Sequence, residues 1–261
     1  MRAFRLFWTF ARVGALNELQ YRANLAIQIV ESAITLATGL VVLALVFNQV
    51  DELNGWSHAE LLAVMGVYTL VGGIIGAFIQ PNMVRLIGDV RQGTLDYILT
   101  KPDDSQVLVS VREFRIWHLV DVVLGIVILV IAAREVPGTL GPAGTAAFLF
   151  ALALGAAMVY CFWLILTTAA FWIVRMDEIV DLFAGVYQAG RWPVSIYPDW
   201  LRVGLTFLVP IAFAVTVPAE AFTQRLEPAT LGLAALFAVG LLVITRLLWR
   251  RGVRRYSGAS A

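Results

Sequence analysis

Apolar runs long enough to cross a bilayer recur along the whole chain. Crossing a hydrocarbon core of roughly 30 Å as an α-helix takes about 20 mostly apolar residues, because no water is available there to bind the backbone polar groups. Seven runs approach this length, at residues 25–47, 61–79, 116–133, 145–174, 179–197, 201–217 and 229–249. The pattern predicts an all-α integral membrane protein.

The distribution of basic residues indicates how many of these runs cross the membrane. Fifteen of the nineteen Lys and Arg residues fall on one side if both termini are cytoplasmic, as the positive-inside rule requires. Both termini on one side demand an even number of crossings. We therefore expect six transmembrane helices, with one net crossing and one excursion that returns to the same face between residues 174 and 229.

Prolines indicate which run returns. Pro198, Pro210 and Pro218 bracket and divide the run 201–217, and proline breaks or kinks a helix because it has no N–H and its ring clashes with the preceding turn. We predict that 199–226 forms outer-leaflet re-entrant helices and that 179–197 is the fifth span. Trp200, with its neighbouring aromatic residues, fits an interface belt. The alternative is that 201–217 crosses and 179–197 lies in the interface.

The first 22 residues alternate basic and apolar positions. Arg2, Arg5, Thr9 and Arg12 recur at spacings of three and four residues, opposite a face rich in aromatic residues. This pattern predicts an amphipathic helix over 1–22 that lies on the cytoplasmic membrane surface. A plain juxtamembrane anchor is the alternative.

The composition agrees with a membrane protein and excludes other classes. Hydrophobic residues make up 60% of the chain, the mean hydropathy is +0.83, and 14% of residues are charged, against about 25% in a typical soluble domain. The net charge of +1 leaves no bulk positive charge for nucleic acid, and the single Cys161 cannot form an intrachain disulfide. We expect one transmembrane domain over 1–261.

The chain has no sequence pattern for catalysis or metal binding. A P-loop needs Gly-x-x-x-x-Gly-Lys-[Ser/Thr], yet the only lysine is Lys101 and Pro102 follows it. Any P-loop ATP dependence must therefore come from a partner. The two histidines and one cysteine lack the spacing of metal ligands, so no metal site, catalytic site or bound cofactor is expected in this chain.

A polar segment over 81–115 separates the second and third runs and is cytoplasmic by the charge distribution. Leu95, Ile98 and Leu99 recur at i, i+3 and i+4, which predicts one short apolar stripe on a helix that ends before Pro102. Such a helix can dock in a groove on a soluble partner. The alternative is that the stripe packs along the lipid headgroups.

Ionisable residues inside apolar runs are candidates for function, and those in the first and third runs are Glu31, His118 and Asp121. Glu31 in the first run and Asp121 in the third could line a translocation path, although structural hydrogen bonding is the alternative for both. His118 and Asp121 share a helix face, so we predict a polar interface cluster. A further interface cluster is expected from Arg175, Asp177, Glu178 and Asp181.

The order of elements and two motifs resemble the permease subunit of type-2 ATP-binding cassette transporters. One motif runs from Arg91 to Pro102 (Arg-Gln-Gly-Thr-Leu-Asp-Tyr-Ile-Leu-Thr-Lys-Pro) and is similar to the coupling-helix region of the family. The other runs from Tyr197 to Arg202 and continues through Phe207 to Pro210, similar to its outer re-entrant segment. Within the family, the stretch 191–198 is most similar to an uncharacterised bacterial branch.

The resemblance implies a half-transporter in the bacterial cytoplasmic membrane. Separate ATPase subunits would hold ATP and Mg²⁺, a second permease copy or paralogue would complete the complex, and the cargo would be an amphipathic or hydrophobic drug, lipid or lipid-linked glycan. It further implies an outer gate at Pro198, Trp200 and Pro210. The implied ATPase-coupling residues are Arg91, Gly93, Leu95, Asp96, Ile98, Leu99, Lys101 and Pro102. A stand-alone secondary transporter or channel is the main alternative, and a lipid-modifying enzyme is a third.

Overall fold

The computed structural model describes residues 22–136, 141–171 and 178–256, together with the single positions 8, 12, 14 and 16. Within these ranges all regular secondary structure is helical, apart from one isolated β-bridge between Leu53 and Trp56. Five described helices are long and apolar enough to cross a membrane. They are α1 (Arg22–Phe47), α2 (His58–Gln92), α5 (Leu119–Glu135, after a 3₁₀ turn Ile116–His118), α6 (Pro142–Thr168) and α10 (Pro228–Arg255).

Five shorter helices complete the described part. They are α3 (Asp96–Leu99), α4 (Ser105–Ser110), α7 (Glu178–Tyr187), α8 (Asp199–Leu208) and α9 (Ala212–Phe222). The long helices coincide with the first, second, third, fourth and sixth predicted spans, because the length of an apolar run specifies a spanning helix. The predicted interface helix over 1–22 falls almost entirely outside the described residues.

The centre of the bundle is α2. In its most apolar stretch 67% of residues are buried, against 11% for α1. It packs most closely on α5, where a Cβ added at Gly125 would lie 2.6 Å from the backbone nitrogen of Leu70, and one at Gly73 would lie 2.7 Å from that of Val122. These glycines let the two backbones approach closely, as small residues do between membrane helices.

The second predicted span continues well beyond residue 79. A π-helical turn at Ile75–Ile79 precedes Pro81, and the helix then continues to Gln92. Pro81 has no backbone N–H to donate, and a widened turn accommodates this missing bond. The first part of the predicted polar segment 81–115 is therefore an extension of α2 rather than a separate loop.

The predicted fifth span over 179–197 is not one continuous helix. α7 ends at Tyr187, a 3₁₀ turn continues to Arg191, and the backbone is extended at Trp192 before a second short turn at Val194–Ile196. Pro193 explains the break, since it cannot donate to the helix and disfavours helical geometry in the residue before it.

The run 201–217 is divided at Pro210, as predicted. α8 and α9 meet at 79° across this break. α9 packs on α6 at very short range: a Cβ at Gly155 would lie 2.5 Å from the carbonyl oxygen of Phe213. Pro198 is the N-cap residue of α8, so two of the three predicted hairpin prolines mark its helix boundaries.

Both arms of this hairpin end at the same end of the bundle. Asn54 and Trp56 bind Ser195 just before α8, and Arg225 just after α9 binds Gly55. We call residues 48–57, 194–198 and 223–227 the hairpin end. The other tips of α2 and α10 meet at residues 93–118 and 246–256, which we call the arginine-rich end.

Candidate functional site

The segment that leaves α2 at the arginine-rich end has a defined fold. Gly93 adopts a left-handed conformation with φ of 71°, which glycine reaches without steric cost and which commonly ends a helix. The N–H of Thr94 donates to the carbonyl oxygen of Asp89 at 3.0 Å, and its hydroxyl donates to the Asp89 carboxylate at 2.9 Å. The chain therefore turns sharply into α3.

The apolar stripe of α3 faces inward. Leu95 is 0% exposed and Ile98 4% exposed, both within the main core of this chain, and Leu99 packs against that core. The expectation that this stripe docks on a soluble partner or on headgroups is therefore wrong. The i, i+3, i+4 spacing predicted an apolar face but did not specify which surface it covers.

The outward side of the same segment is polar with one aromatic residue. Tyr97 is 76% exposed, and Arg91, Lys101 and Pro102 are exposed beside it, while Asp96 is half-buried. A partner that approaches this end would meet Tyr97 and charged side chains. The eight predicted coupling residues thus divide into an inner group that holds the segment and an outer group that is accessible.

Buried Asn82 fastens the end of this segment to α2. Its amide donates to the carbonyl oxygens of Phe78 (2.7 Å) and Glu113 (2.8 Å). Its carbonyl oxygen accepts from the N–H groups of Arg112 (2.8 Å) and Glu113 (2.9 Å). With 1% exposure, this side chain satisfies backbone groups that water cannot reach.

Three ion pairs add to this attachment. Arg112 Nη2 lies 2.7 Å from Asp89 Oδ2 with both side chains largely buried, and Arg85 pairs with Glu113. Burial lowers the pKa of Arg112, and the paired Asp89 carboxylate opposes that shift. Arg246 of α10 donates to the Asp104 carboxylate from both terminal nitrogens, Nη1 and Nη2. This lowers the pKa of the Asp104 carboxyl below its usual 3.8.

A second candidate site is a cleft of about 380 Å³ between α1, α2, α5 and the segment after α7. Glu31 and Asp121 both line it, so the structure brings together the two residues predicted for a translocation path. Glu31 lies nine residues into α1, or about 14 Å along its axis. Its side chain is exposed to the cleft and to the outer side of α1.

Toward the arginine-rich end, the cleft is closed by a polar cluster around Asp121. Gln28 Nε2 donates to one Asp121 oxygen at 3.0 Å, and Ser32 Oγ donates to the other. His118 Nδ1 lies 3.4 Å from the carboxylate, as expected of two residues that share a helix face. Gln28 and Ser32 were missed by sequence reasoning, because uncharged residues in an apolar run carry little signal.

Toward the hairpin end, the wall of the cleft is aromatic. Tyr68 and Tyr187 stack with ring centroids 4.8 Å apart, and the Tyr187 hydroxyl donates to the Tyr68 carbonyl oxygen at 2.8 Å. The Arg191 guanidinium lies 5.7 Å from the Tyr68 ring centroid. The cleft thus carries carboxylates at one end and a cation over an aromatic ring at the other.

At the hairpin end, Arg225 holds the second arm of the hairpin, while Asn54 and Trp56 bind Ser195 before the first arm. Arg225 donates to the carbonyl oxygen of Gly55 at 2.7 Å and to Glu60 Oε2 at 2.9 Å, and it lies 4.6 Å from the Trp56 ring centroid. Glu60 also caps α2 through Ser57. Of the predicted gate residues, Trp200 is 75% exposed, while Pro198 and Pro210 mark helix boundaries.

The expected cluster of Arg175, Asp177, Glu178 and Asp181 lies largely outside the described residues, with only Asp181 fully described. In the described part of the chain, no group of three or more His, Cys, Asp or Glu side chains is arranged to hold a metal ion. Cys161 is a buried free thiol.

Five helices long and apolar enough to cross a membrane, with a sharply bent hairpin at one end and a folded polar segment at the other, are the architecture of a multi-pass membrane protein. The family described as ABC-2 family transporter protein matches residues 33–260. The chain belongs to this family and is a permease of the ABC-2 type. Comparisons with curated proteins and with solved structures give no match.

Proposed function

We propose that this chain is the transmembrane half of an ATP-driven exporter in the bacterial cytoplasmic membrane, and that separate ATPase subunits bind Mg²⁺ and ATP. The observation that carries the proposal is family membership over 33–260. In addition, Lys101 is the only lysine in the sequence and is not part of a P-loop pattern. The energy source must then reach this chain from a partner.

The arginine-rich end is the face that would receive the ATPase. It carries eight of the nineteen Lys and Arg residues, against one at the hairpin end. By the positive-inside rule this supports a cytoplasmic location for this end and for both termini. Tyr97, Arg91 and Lys101 form its outward surface. Asn82 and the Arg112–Asp89 pair join that surface to α2, so a push on the segment acts directly on the central helix.

The cleft and the hairpin fit the transport part of this function. An amphipathic cargo could place its apolar part against Tyr68 and Tyr187 and a polar part near Asp121 or Arg191. The hairpin, whose two arms end at one end of the bundle, would form an outer gate that includes Pro198, Trp200 and Pro210. The exposed apolar face of α1 suits contact with a second permease copy.

Co-isolation from the native membrane tests the proposal. The tagged chain is purified, and accompanying proteins are identified by mass spectrometry for the wild type, Tyr97→Ala with Lys101→Glu, and Trp200→Ala. Trp200 is a matched control because it is equally exposed but lies beside the hairpin end. We expect a P-loop ATPase with the wild type and with Trp200→Ala, and a severalfold loss with the Tyr97 and Lys101 double variant.

Two results would contradict the proposal. The first is that no ATPase accompanies the folded wild-type chain. The second is that the purified chain alone carries substrate across vesicles without ATP, which would identify a stand-alone carrier. Leu95→Asp is unsuitable for this experiment, because Leu95 is fully buried and its loss would unfold the segment rather than only its surface.

A further inference from the structure

The last two turns of α10 form one wall of a groove of about 300 Å³ at the arginine-rich end. Its lining residues are Ser105, Arg246, Trp249, Arg250, Val253 and Arg254. Trp249 is 1% exposed and its Nε1 donates to Ser105 Oγ at 3.2 Å. This contact fixes α4 against α10, so the groove is part of the folded structure.

Two of the three arginines that line the groove carry charges that the described part of the chain does not balance. Arg246 is committed to Asp104 and to Gln106 Oε1. Arg250 and Arg254 are both exposed, and none of the acidic side chains that the structure describes pairs with either. They are four residues apart and so lie one helical turn from each other. Two neighbouring guanidinium groups suit a phosphate, which both can bind through paired N–H donors.

An exposed aliphatic stripe leads along α10 to these arginines. It comprises Leu236, Val239, Val243 and Leu247, which are 72%, 58%, 53% and 51% exposed. The steps from Leu236 through Leu247 to Arg250 and Arg254 are three or four residues, so all lie along one side of the helix. A ligand on this side would contact hydrocarbon first and two cations at its end.

We propose that this groove binds the phosphate headgroup of an anionic phospholipid, with the acyl chains along the aliphatic stripe of α10. Arg250 and Arg254 bind the phosphate, and Trp249 forms the apolar floor. An acidic protein surface could meet the arginines, but it would leave the adjoining stripe of four exposed aliphatic residues without a role. The proposal depends on membrane insertion of this chain and not on an ATPase partner.

The test measures lipid binding to the full chain purified in detergent without any ATPase. Fluorescent phosphatidylglycerol and phosphatidylcholine are titrated against the wild type, Arg250→Gln with Arg254→Gln, and Arg251→Gln with Arg255→Gln. The second pair is the matched control, because it removes the same charge from the same two turns at positions outside the groove. Size-exclusion profiles and thermal unfolding establish that all three proteins are folded.

We expect the wild type to prefer phosphatidylglycerol over phosphatidylcholine by at least about tenfold. The Arg250 and Arg254 variant should lose most of that preference, whereas the control variant should keep it within about threefold. Excess inorganic phosphate should compete only weakly, because it has no acyl chains to occupy the stripe; displacement by millimolar phosphate would identify a free-phosphate site instead.

Other outcomes overturn the proposal. If both double variants lose the preference for phosphatidylglycerol equally, the preference comes from the overall positive charge of the helix end and not from binding in the groove. Unchanged lipid preference in the Arg250 and Arg254 variant, together with loss of ATPase co-isolation from the membrane, would assign these arginines to a protein partner.

Discussion

The two ends of the bundle are both fastened by arginines, but in different ways. At the arginine-rich end, Asn82, the Arg112–Asp89 pair and the Arg246–Asp104 pair act at separate points. At the hairpin end, Arg225 alone binds Gly55, Glu60 and the Trp56 ring. We therefore expect that the loss of one pair leaves the arginine-rich end attached. Loss of Arg225 should release the second arm of the hairpin and leave only the Asn54 and Trp56 contacts with Ser195.

The largest expected effect comes from Asn82→Ala. The substitution removes four hydrogen bonds, among them those that bind the backbone groups of Arg112 and Glu113 to α2. We expect a loss of about 2–4 kcal/mol in unfolding free energy, measured by denaturant or thermal unfolding in detergent. A loss below about 0.5 kcal/mol would mean that this end does not depend on the buried amide.

Next in size is Arg225→Gln, which removes an ion pair and a cation–π contact at once. We expect about 1–2 kcal/mol of destabilisation and a faster reaction of a thiol introduced by Ser195→Cys. The thiol is measured by maleimide labelling in a Cys161→Ser background. An unchanged labelling rate would show that the Asn54 contact with the backbone oxygen of residue 195, which the cysteine variant keeps, holds the hairpin without Arg225.

Arg246→Gln is the counterpart at the arginine-rich end and should have a smaller effect. The Arg246–Asp104 pair is partly exposed, and such pairs contribute about 0–1 kcal/mol. A thiol placed by Leu108→Cys in α4 should stay as protected as before, because Trp249 still binds Ser105. If its labelling accelerates as much as that at Ser195 does in Arg225→Gln, the two ends do not differ.

The smallest expected effect is on the pH dependence of stability. Arg246 lowers the pKa of Asp104 in the folded protein below 3.8. The ion pair therefore stabilises the fold at pH values above the pKa of Asp104 in the unfolded chain, and this stabilisation is lost as the pH falls through the lower pKa of the folded protein. Wild type should exceed Asp104→Asn by a few tenths of a kcal/mol at pH 7, and this difference should shrink below about pH 4. Melting temperatures across pH measure it, and a difference that grows in acid would contradict the assignment.

Sequence reasoning predicted the long helices and the divided hairpin better than the contacts between elements. A run of about 20 apolar residues specifies a spanning helix by itself, and Pro210 specifies a break. By contrast, the burial of Leu95 and Ile98 depends on which surface lies beneath α3. Asn82 and Arg225 act through partners far along the chain, which local patterns do not identify.

The candidate sites follow the same division. Glu31 and Asp121 were identifiable because a carboxylate inside an apolar run is costly, and both line the cleft. The stacked tyrosines were not, since aromatic residues are common in membrane helices for other reasons. Tyr97 became a candidate for partner contact only when the structure placed it outward.

The π-turn at Ile75–Ile79 has a consequence for insertions and deletions. A π-turn holds one residue more than an α-turn, so deleting one residue within it would restore regular helix and leave the residues after it in nearly the same orientation. A one-residue deletion at 61–74 has no such turn to absorb it and would rotate the rest of α2 by about 100°, so Asn82 would point away from the backbone of Arg112 and Glu113. Homologues should therefore tolerate a one-residue change of length within 75–79 better than in the preceding turns of α2.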